Sequence, residues 1–347
     1  MHSAQESGRR PPTPLAGMPR RAALAGLAVP FLPRFANAAE FTWRVGHSAP
    51  VTFPLHLRLI EAAASIAARS EGKMAMQIHP NSELGSPVGL IAQARAGTID
   101  AVPLTHQMLA GNLTVAALPM VGFAFSGYDQ VWPALDGDVG AFLRNQIQQR
   151  LGLTAMDRIW DFGFRQITTN VKGVNTAADL DGLRLRTPAE ADFIALFQAL
   201  KALPLVVPLS GLEQALASRS IDGQESVLAL VKAASLYKIQ SHCALTNHVW
   251  DGQWICVSGA SWSKLPARLK EIVSAAFNES GLNQRQDTAA SDIGLRAELE
   301  AAGLRFNGVD SPNFRIMLRK SGYYAAWKAR MGDDGWAALE KYTGRLT

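Results

Sequence analysis

FTWRVGHSAPVTFPLHLRLIEAAASIAARSEGKMAMQIHPNSELGSPVGLIAQARAGTIDAVPL, residues 41–104, is the stretch whose reading decides the fold. Phe41 to Gly46 predicts a strand. Leu55, Leu59, Ala63, Ile66 and Ala67 then recur at helical spacing, and Gly72 stops the helix. Met74, Met76 and Ile78 alternate with Ala75, Gln77 and His79, the period of a strand. Val88 to Ala96 is a short helix ended by Gly97, and Ile99 to Leu104 is a third strand. A β-α-β-α-β order implies a largely parallel sheet with helices on its faces.

A second unit of the same kind follows. Gly163 to Asn170 and Leu183 to Thr187 read as strands, Ala189 to Leu200 as a helix, Leu205 to Pro208 as a strand, Gly211 to Ala217 as a short helix and Ser220 to Glu225 as a further strand. Ala244 to Trp250 and Gln253 to Ser258 read as two antiparallel strands around a tight turn at Asp251-Gly252. No internal repeat, low-complexity stretch or flexible linker separates the units. Two lobes without a linker imply a chain that crosses between them more than once.

Pro266 to Ala302 carries Leu269, Ile272, Val273, Ala276 and Phe277 on one helical face, with proline at its start and Gly303 at its end. As one helix it would span about 55 Å at 1.5 Å per residue, longer than a single lobe. Gly281 and Gly294 equally permit two shorter helices.

Outside this body, residues 1–19 are polar and rich in proline and arginine. Arg20 and Arg21 then precede an apolar run, Ala22 to Leu32, and Ala36-Asn37-Ala38 forms a small-x-small site. These are the parts of a secretory signal over residues 1–38, with cleavage near Ala38. The paired arginines followed by Leu24 suggest a twin-arginine leader, although Ala23 stands where that motif usually has phenylalanine. The run is too short to cross a bilayer, which takes about 20 residues. The leader carries five arginines against one glutamate. The net charge of +5 for the whole chain therefore falls to +1 without it, and no basic block remains to argue for nucleic acid. Cys243 and Cys256 make no disulfide framework and read as two buried thiols.

Catalytic signals are sparse. The seven histidines are scattered, with no His-Glu-x-x-His and no Cys-x-x-Cys, so zinc has no sequence support. Gly259-Ala260-Ser261-Trp262-Ser263 lacks the last glycine of a nucleophile elbow. Asp161-Phe162-Gly163 spells the kinase magnesium motif without its companion loops. Asp251 with His248 could pair as acid and base, but a hydrogen-bonded turn is the plainer reading.

Two arginines carry more. Leu183 and Leu185 face the core of their strand, which turns Arg184 and Arg186 the other way. Arg186 ends that strand, and open α/β sheets bind ligands beyond the carboxyl ends of strands. Arg165 lies near the start of the second unit. A guanidinium grips a carboxylate through two parallel hydrogen bonds. Spacing alone favours an internal salt bridge or a solvated sheet edge for both residues.

The run from Trp160 to Asn170 (WDFGFRQITTN) resembles the W-D-N-G-F-R-x-x-T-N signature of the solute-binding proteins of TRAP transporters, the DctP family. Asp179 to Pro188 (DLDGLRLRTP) is similar to its D-L-K-G-L-K-I-R-x-P, and Ser220 to Glu225 (SIDGQE) to its V-V-D-G-Q-E-N. His47-Ser48-Ala49-Pro50, Pro80 to Gly85 and Trp262 to Pro266 also fall where the family has such elements. The motifs keep the family's order from about Phe41 to the C-terminal region.

The resemblance implies a two-lobed α/β binding protein of the Venus-flytrap type, braced by a long helix spanning both lobes. Lobe I would be residues 39–162 with about 252–291, and lobe II residues 163–251 with about 292–347. It implies no enzyme and no cofactor. The chain would be a monomeric periplasmic receptor for a small organic acid, delivering it to a membrane permease of small and large subunits. Arg186 would clamp the ligand carboxylate and Arg165 would assist. Ser48 and Gln224 lie in matching motifs and join the expected ligand-binding set. Ser226 replaces the family's asparagine, Leu209 an aromatic residue, Phe162 an asparagine, and Thr105 an acid that some members carry. Trp160, Trp250 and Trp254 could form apolar walls. These departures point to a monocarboxylate or an aromatic or branched acid ahead of a sugar acid or an ammonium-bearing ligand. A periplasmic sensing component, or a periplasmic enzyme on the same fold, are the alternatives.

Overall fold

The computed structural model describes residues 39–347; the expected leader lies outside them. Ten strands of the described residues form one mixed sheet. They are β1 (Phe41–Gly46), β2 (Met74–His79), β3 (Ala101–Thr105), β4 (Leu153–Ala155), β5 (Trp160–Thr169), β6 (Arg184–Thr187), β7 (Leu203–Val206), β8 (Gly223–Ser226), β9 (His242–Ser258) and β10 (Arg305–Gly308). The order is β2-β1-β3-β9-β5-β8-β6-β7, with β4 and β10 paired to β9.

As the sequence predicts, β1 runs parallel to β2 and β3, with Val45 opposite Ala101. The helix Pro54–Arg69 covers this group with Leu55, Leu59, Ala62 and Ile66. Spacings of four, three and four put Ala62, and not Ala63, on the buried stripe. A second parallel group forms where β6 lies between β7 and β8. Strands β5 and β9 pair antiparallel between the two groups. The result is a two-lobed α/β fold in which both central strands are shared.

One expectation fails. Asp251-Gly252 is not a turn, because β9 runs unbroken for 17 residues. Its start pairs with β10 and its second half with β3 and β4, while β5 runs beside it from His242 to Gln253. Asp251 is buried, and its Oδ1 accepts the backbone N–H of His106 at 3.1 Å. Gly252 is needed for close approach: a Cβ there would lie 2.4 Å from the Trp250 ring. Glycine within a strand often marks such an approach. Cys243 and Cys256 are buried and unpaired as expected. Twelve residues of β9 lie between them, on the order of 40 Å of strand, far beyond disulfide reach.

Ala267–Ala301 is a single helix of 35 residues, about 52 Å long. Its first half packs Leu269, Ile272, Val273, Ala276 and Phe277 against Trp43, Leu59 and Trp160. Leu299, near its end, joins a separate cluster with Leu212, Leu216 and Val231. The helix therefore touches the cores of both lobes. Gly281 is a contact point and not a bend, since a Cβ would meet the Trp160 indole at 2.6 Å. Arg58 holds Asp287 through Nε (2.6 Å) and Nη2 (2.8 Å), and Arg285 holds Asp136 at 2.8 and 2.9 Å.

Candidate functional site

Strands β5, β6 and β8 bring the two singled-out arginines to one place. In the register, Arg186 lies opposite Gln224, and Gln166 opposite Ser226. Alternation then puts Arg186, Gln224 and Ser226 on one face and Arg165 with Glu225 on the other.

The three arginines of this region have different fates. Arg184 is half-exposed and bound by Asp222 through Nε (3.0 Å) and Nη2 (2.6 Å). Arg165 is buried. Its Nε and Nη2 donate to the two oxygens of Glu225 at 2.6 and 2.8 Å, and its guanidinium lies 4.6 Å from the centre of the Phe193 ring. Glu225, though fully buried, stays below the usual carboxylate range: burial alone would push it up, but the Arg165 charge and the bond to His248 hold it down. His248 Nε2 sits 3.2 Å from Glu225 and Nδ1 2.7 Å from the Thr246 hydroxyl. A carboxylate only accepts, so Nε2 carries the proton and Nδ1 accepts from Thr246; burial keeps the ring neutral. His248 is thus a partner of Glu225, and the Asp251–His248 pair is not formed. It reaches this position through an irregular stretch of β9 after Ala244, where Asn247 has φ +44°.

Arg186 is 6% exposed and donates through Nε to the Val207 carbonyl at 2.8 Å. Among the described residues no carboxylate lies within ion-pair distance of it, and its two Nη groups make no hydrogen bond. Desolvation lowers its pKa, with Glu225 and Glu190 acting against that at longer range. Arg315 gives the contrast: only half-buried, it still donates to three backbone carbonyls, of Phe123, Ala124 and Thr343. Buried charges are normally paired. Around the strand ends, Ser226 Oγ, Gln224 Oε1, Thr187 Oγ1 and Glu190 Oε2 are also buried without partners. Buried polar atoms are otherwise almost always bonded. Of these, Gln224 and Ser226 share the face of Arg186, and orphans on the face of an unpaired guanidinium suit a ligand with a carboxylate and further polar groups.

The other expected residues divide. Leu209 opens the helix Leu209–Ala217 beside Val207 and is exposed, so it can reach this place. Thr105 caps the helix His106–Ala110 by accepting from the Met108 N–H at 3.2 Å. Ser48 is exposed and lines a cavity of about 260 Å³ with Asp161, Gln253 and Val227, the residue after Ser226. Trp160, Trp250 and Trp254 are at most 1% exposed. The Trp160 indole donates to the Phe277 carbonyl at 3.2 Å, that of Trp250 to Asp161 Oδ1 at 2.9 Å. They are core residues and not ligand walls, because their rings fill the strand–helix interfaces. Glu225, Thr187, Glu190 and Phe193 were missed. The one signal for Glu225 was an acid inside a strand flanked by uncharged residues.

The sequence profile described as "Bacterial extracellular solute-binding protein, family 7" (DctP) matches residues 45–320. A solute-binding protein of Roseobacter denitrificans is 28% identical over 289 residues, covering 82% of this chain and 86% of its own. Its structure with bound L-galactonate superposes with a TM-score of 0.72 over 88% of this chain and 99% of that one, at 25% identity. The 2,3-diketo-L-gulonate-binding periplasmic protein of Escherichia coli is 27% identical, covering 77% of this chain and 81% of its own. A TRAP periplasmic solute-binding protein of Ochrobactrum anthropi, whose C-terminus occupies its ligand-binding pocket, superposes with a TM-score of 0.84 at 23% identity, covering 88% of this chain and 97% of that one.

Proposed function

Because the chain belongs to family 7 of the bacterial extracellular solute-binding proteins, we propose that it is an exported receptor that closes on a small organic acid and passes it to a TRAP-type membrane transporter. The observation that carries this reading is Arg186, a buried guanidinium whose Nη groups have no partner among the described residues. A ligand carboxylate is the group that would complete it, through a planar two-bond fork. Arg165, already engaged by Glu225, acts as a fixed positive neighbour and not as a second free clamp.

The ligand body is polar in this reading. Ser226, Gln224, Thr187 and Glu190 offer unpaired atoms that suit hydroxyl groups, while the tryptophans expected to favour an aromatic acid lie in the core. Relatives that carry L-galactonate or are named for 2,3-diketo-L-gulonate point the same way. A hydroxylated acid therefore replaces the aromatic or branched acid suggested by the departures from the family motifs.

In the cycle, the open cleft presents Arg186 to solvent and the acid docks. The lobes, residues 39–162 with about 252–291 and residues 163–251 with about 292–347, then close by bending where β5, β9 and the long helix pass between them. Expelling water strengthens the charge-assisted bonds. The leader over residues 1–38 directs export, and the closed form meets permease subunits in the membrane. No helix of the described residues is long and apolar enough to cross a membrane.

The test is a thermal-shift screen of residues 39–347 against sugar acids, short-chain acids, neutral sugars and amino acids. A ligand at 100 times its Kd should stabilise by about 2.7 kcal/mol. A selective shift with one group of acids, abolished in Arg186→Ala, supports the receptor. Shifts indifferent to Arg186, or none with any acid, reject it.

A further inference from the structure

A second feature has the opposite sign to Arg186. The cavity of about 260 Å³ that Ser48 lines lies where the long helix passes β5 and the segment after β8. Two carboxylates face it, Asp161 from β5 and Asp292 from the long helix. Asp161 is 2% exposed. Its Oδ1 accepts from the Gly163 N–H and the Trp250 indole, each at 2.9 Å, while its Oδ2 is buried with no partner. The Tyr128 hydroxyl is near enough to favour the ionised form but is outside hydrogen-bond geometry. Among the described residues, no lysine, arginine or histidine pairs with either carboxylate, and no basic group acts on either charge at longer range. Gln253, 5% exposed, lines the same cavity and makes no side-chain hydrogen bond among the described residues.

We propose that this cavity is a binding subsite for an organic ammonium group, held between Asp161 and Asp292. Asp161, almost fully buried, and Asp292, half-buried, share this cavity without a cation among the described residues; they call for positive charge, because an uncompensated carboxylate is costly to bury. The walls decide between a metal ion and an organic cation. Phe53, Leu55, Phe162 and Val227 are apolar lining, whereas calcium takes six to eight oxygen ligands. No group of three or more acids, histidines or cysteines among the described residues could hold a metal. The side chains of Phe53 and Phe162, each 39% exposed, offer ring faces that attract an alkylammonium. The loss of an acid at Thr105, read from sequence as evidence against an ammonium ligand, is offset by these two carboxylates, which arise from segments about 130 residues apart.

The subsite does not depend on the role of Arg186, and the two are separable. Isothermal titration of residues 39–347 at neutral pH and low salt would use three probes: tetramethylammonium, 1,4-diaminobutane and calcium chloride. The expected result is saturable binding of an ammonium probe, weakened at least tenfold in Asp292→Asn and in Asp161→Asn and unchanged in Arg186→Ala. Asp292 lies on a partly exposed helix face, so its variant should fold even if Asp161→Asn disturbs Trp250. No ammonium binding, binding that survives Asp292→Asn, or binding of calcium in preference would each overturn the proposal. Loss of organic-acid binding in Arg186→Ala with ammonium binding intact would leave both assignments standing; ammonium binding without any acid binding would keep this one and remove the other.

Discussion

Arg165 meets Glu225 with two parallel hydrogen bonds, Nε to Oε2 at 2.6 Å and Nη2 to Oε1 at 2.8 Å. That pairing leaves its neighbour Arg186 as the guanidinium available to a ligand, and it separates two arginines that look equivalent in sequence.

Truncating Arg186 should therefore remove binding and spare the fold. Arg186→Ala is expected to weaken an organic-acid ligand by about 2–5 kcal/mol, since the carboxylate would be buried unpaired. Arg186→Lys should also bind poorly, because an ammonium cannot form the planar fork. Calorimetry checks both, with circular dichroism to establish folding. Native affinity in either variant would reject the assignment.

Glu225→Gln should act in the reverse sense. It leaves Arg165 buried beside a neutral amide, a change expected to cost about 3–5 kcal/mol of stability. Urea unfolding without ligand would measure this. Arg186→Ala should lose far less in the same assay, and equal losses would contradict the different pairing of the two residues.

Stability near neutral pH should carry the mark of Asp251. Burial pushes this carboxyl up to about 7 from the usual 3.8. A group whose pKa is raised on folding binds more protons in the native state. Its contribution is fully present below about pH 4, is lost as pH rises, and is gone above about 7. Asp251→Asn can still accept from the His106 N–H, so it should remove this fall. The difference in stability between variant and wild type should grow in the variant's favour from pH 4 to 7; a flat difference would show Asp251 to be ordinary.

The two glycines within the long helix should respond oppositely. Gly281→Ala drives a methyl group into the Trp160 indole and is expected to cost about 1–3 kcal/mol by overpacking. Gly294→Ala meets nothing within 4 Å and should gain up to about 1 kcal/mol in helix propensity. Melting temperatures of the two variants decide it.

Much of this architecture is legible in sequence where the signal is local. Periodicity finds the strands and helices of residues 41–104, and the helix from Ala267 is bounded by its own proline and glycine. The position of Arg186 follows from alternation within one short strand. The misreadings concern contacts distant in the chain. Asp251-Gly252 has turn chemistry, and only the Trp250 ring packed over Gly252 shows why a glycine stands inside a strand. The engagement of Arg165 depends on Glu225, sixty residues away. The burial of Trp160 depends on Gly281, more than a hundred residues away, and no spacing rule reports either.

The unbroken course of β9 has a consequence for how the chain acquires its structure. Residues 253–257 pair with 101–105, and residues 242–244 with 167–169, so both halves await the same late segment. Contacts so distant in sequence slow folding, because loop closure precedes any reward. Until β9 arrives, β3 and β5 present bare edges open to aggregation. The two halves should therefore melt in a single cooperative transition, and a chain cut before His242 should fail to fold and not survive as an independent first half.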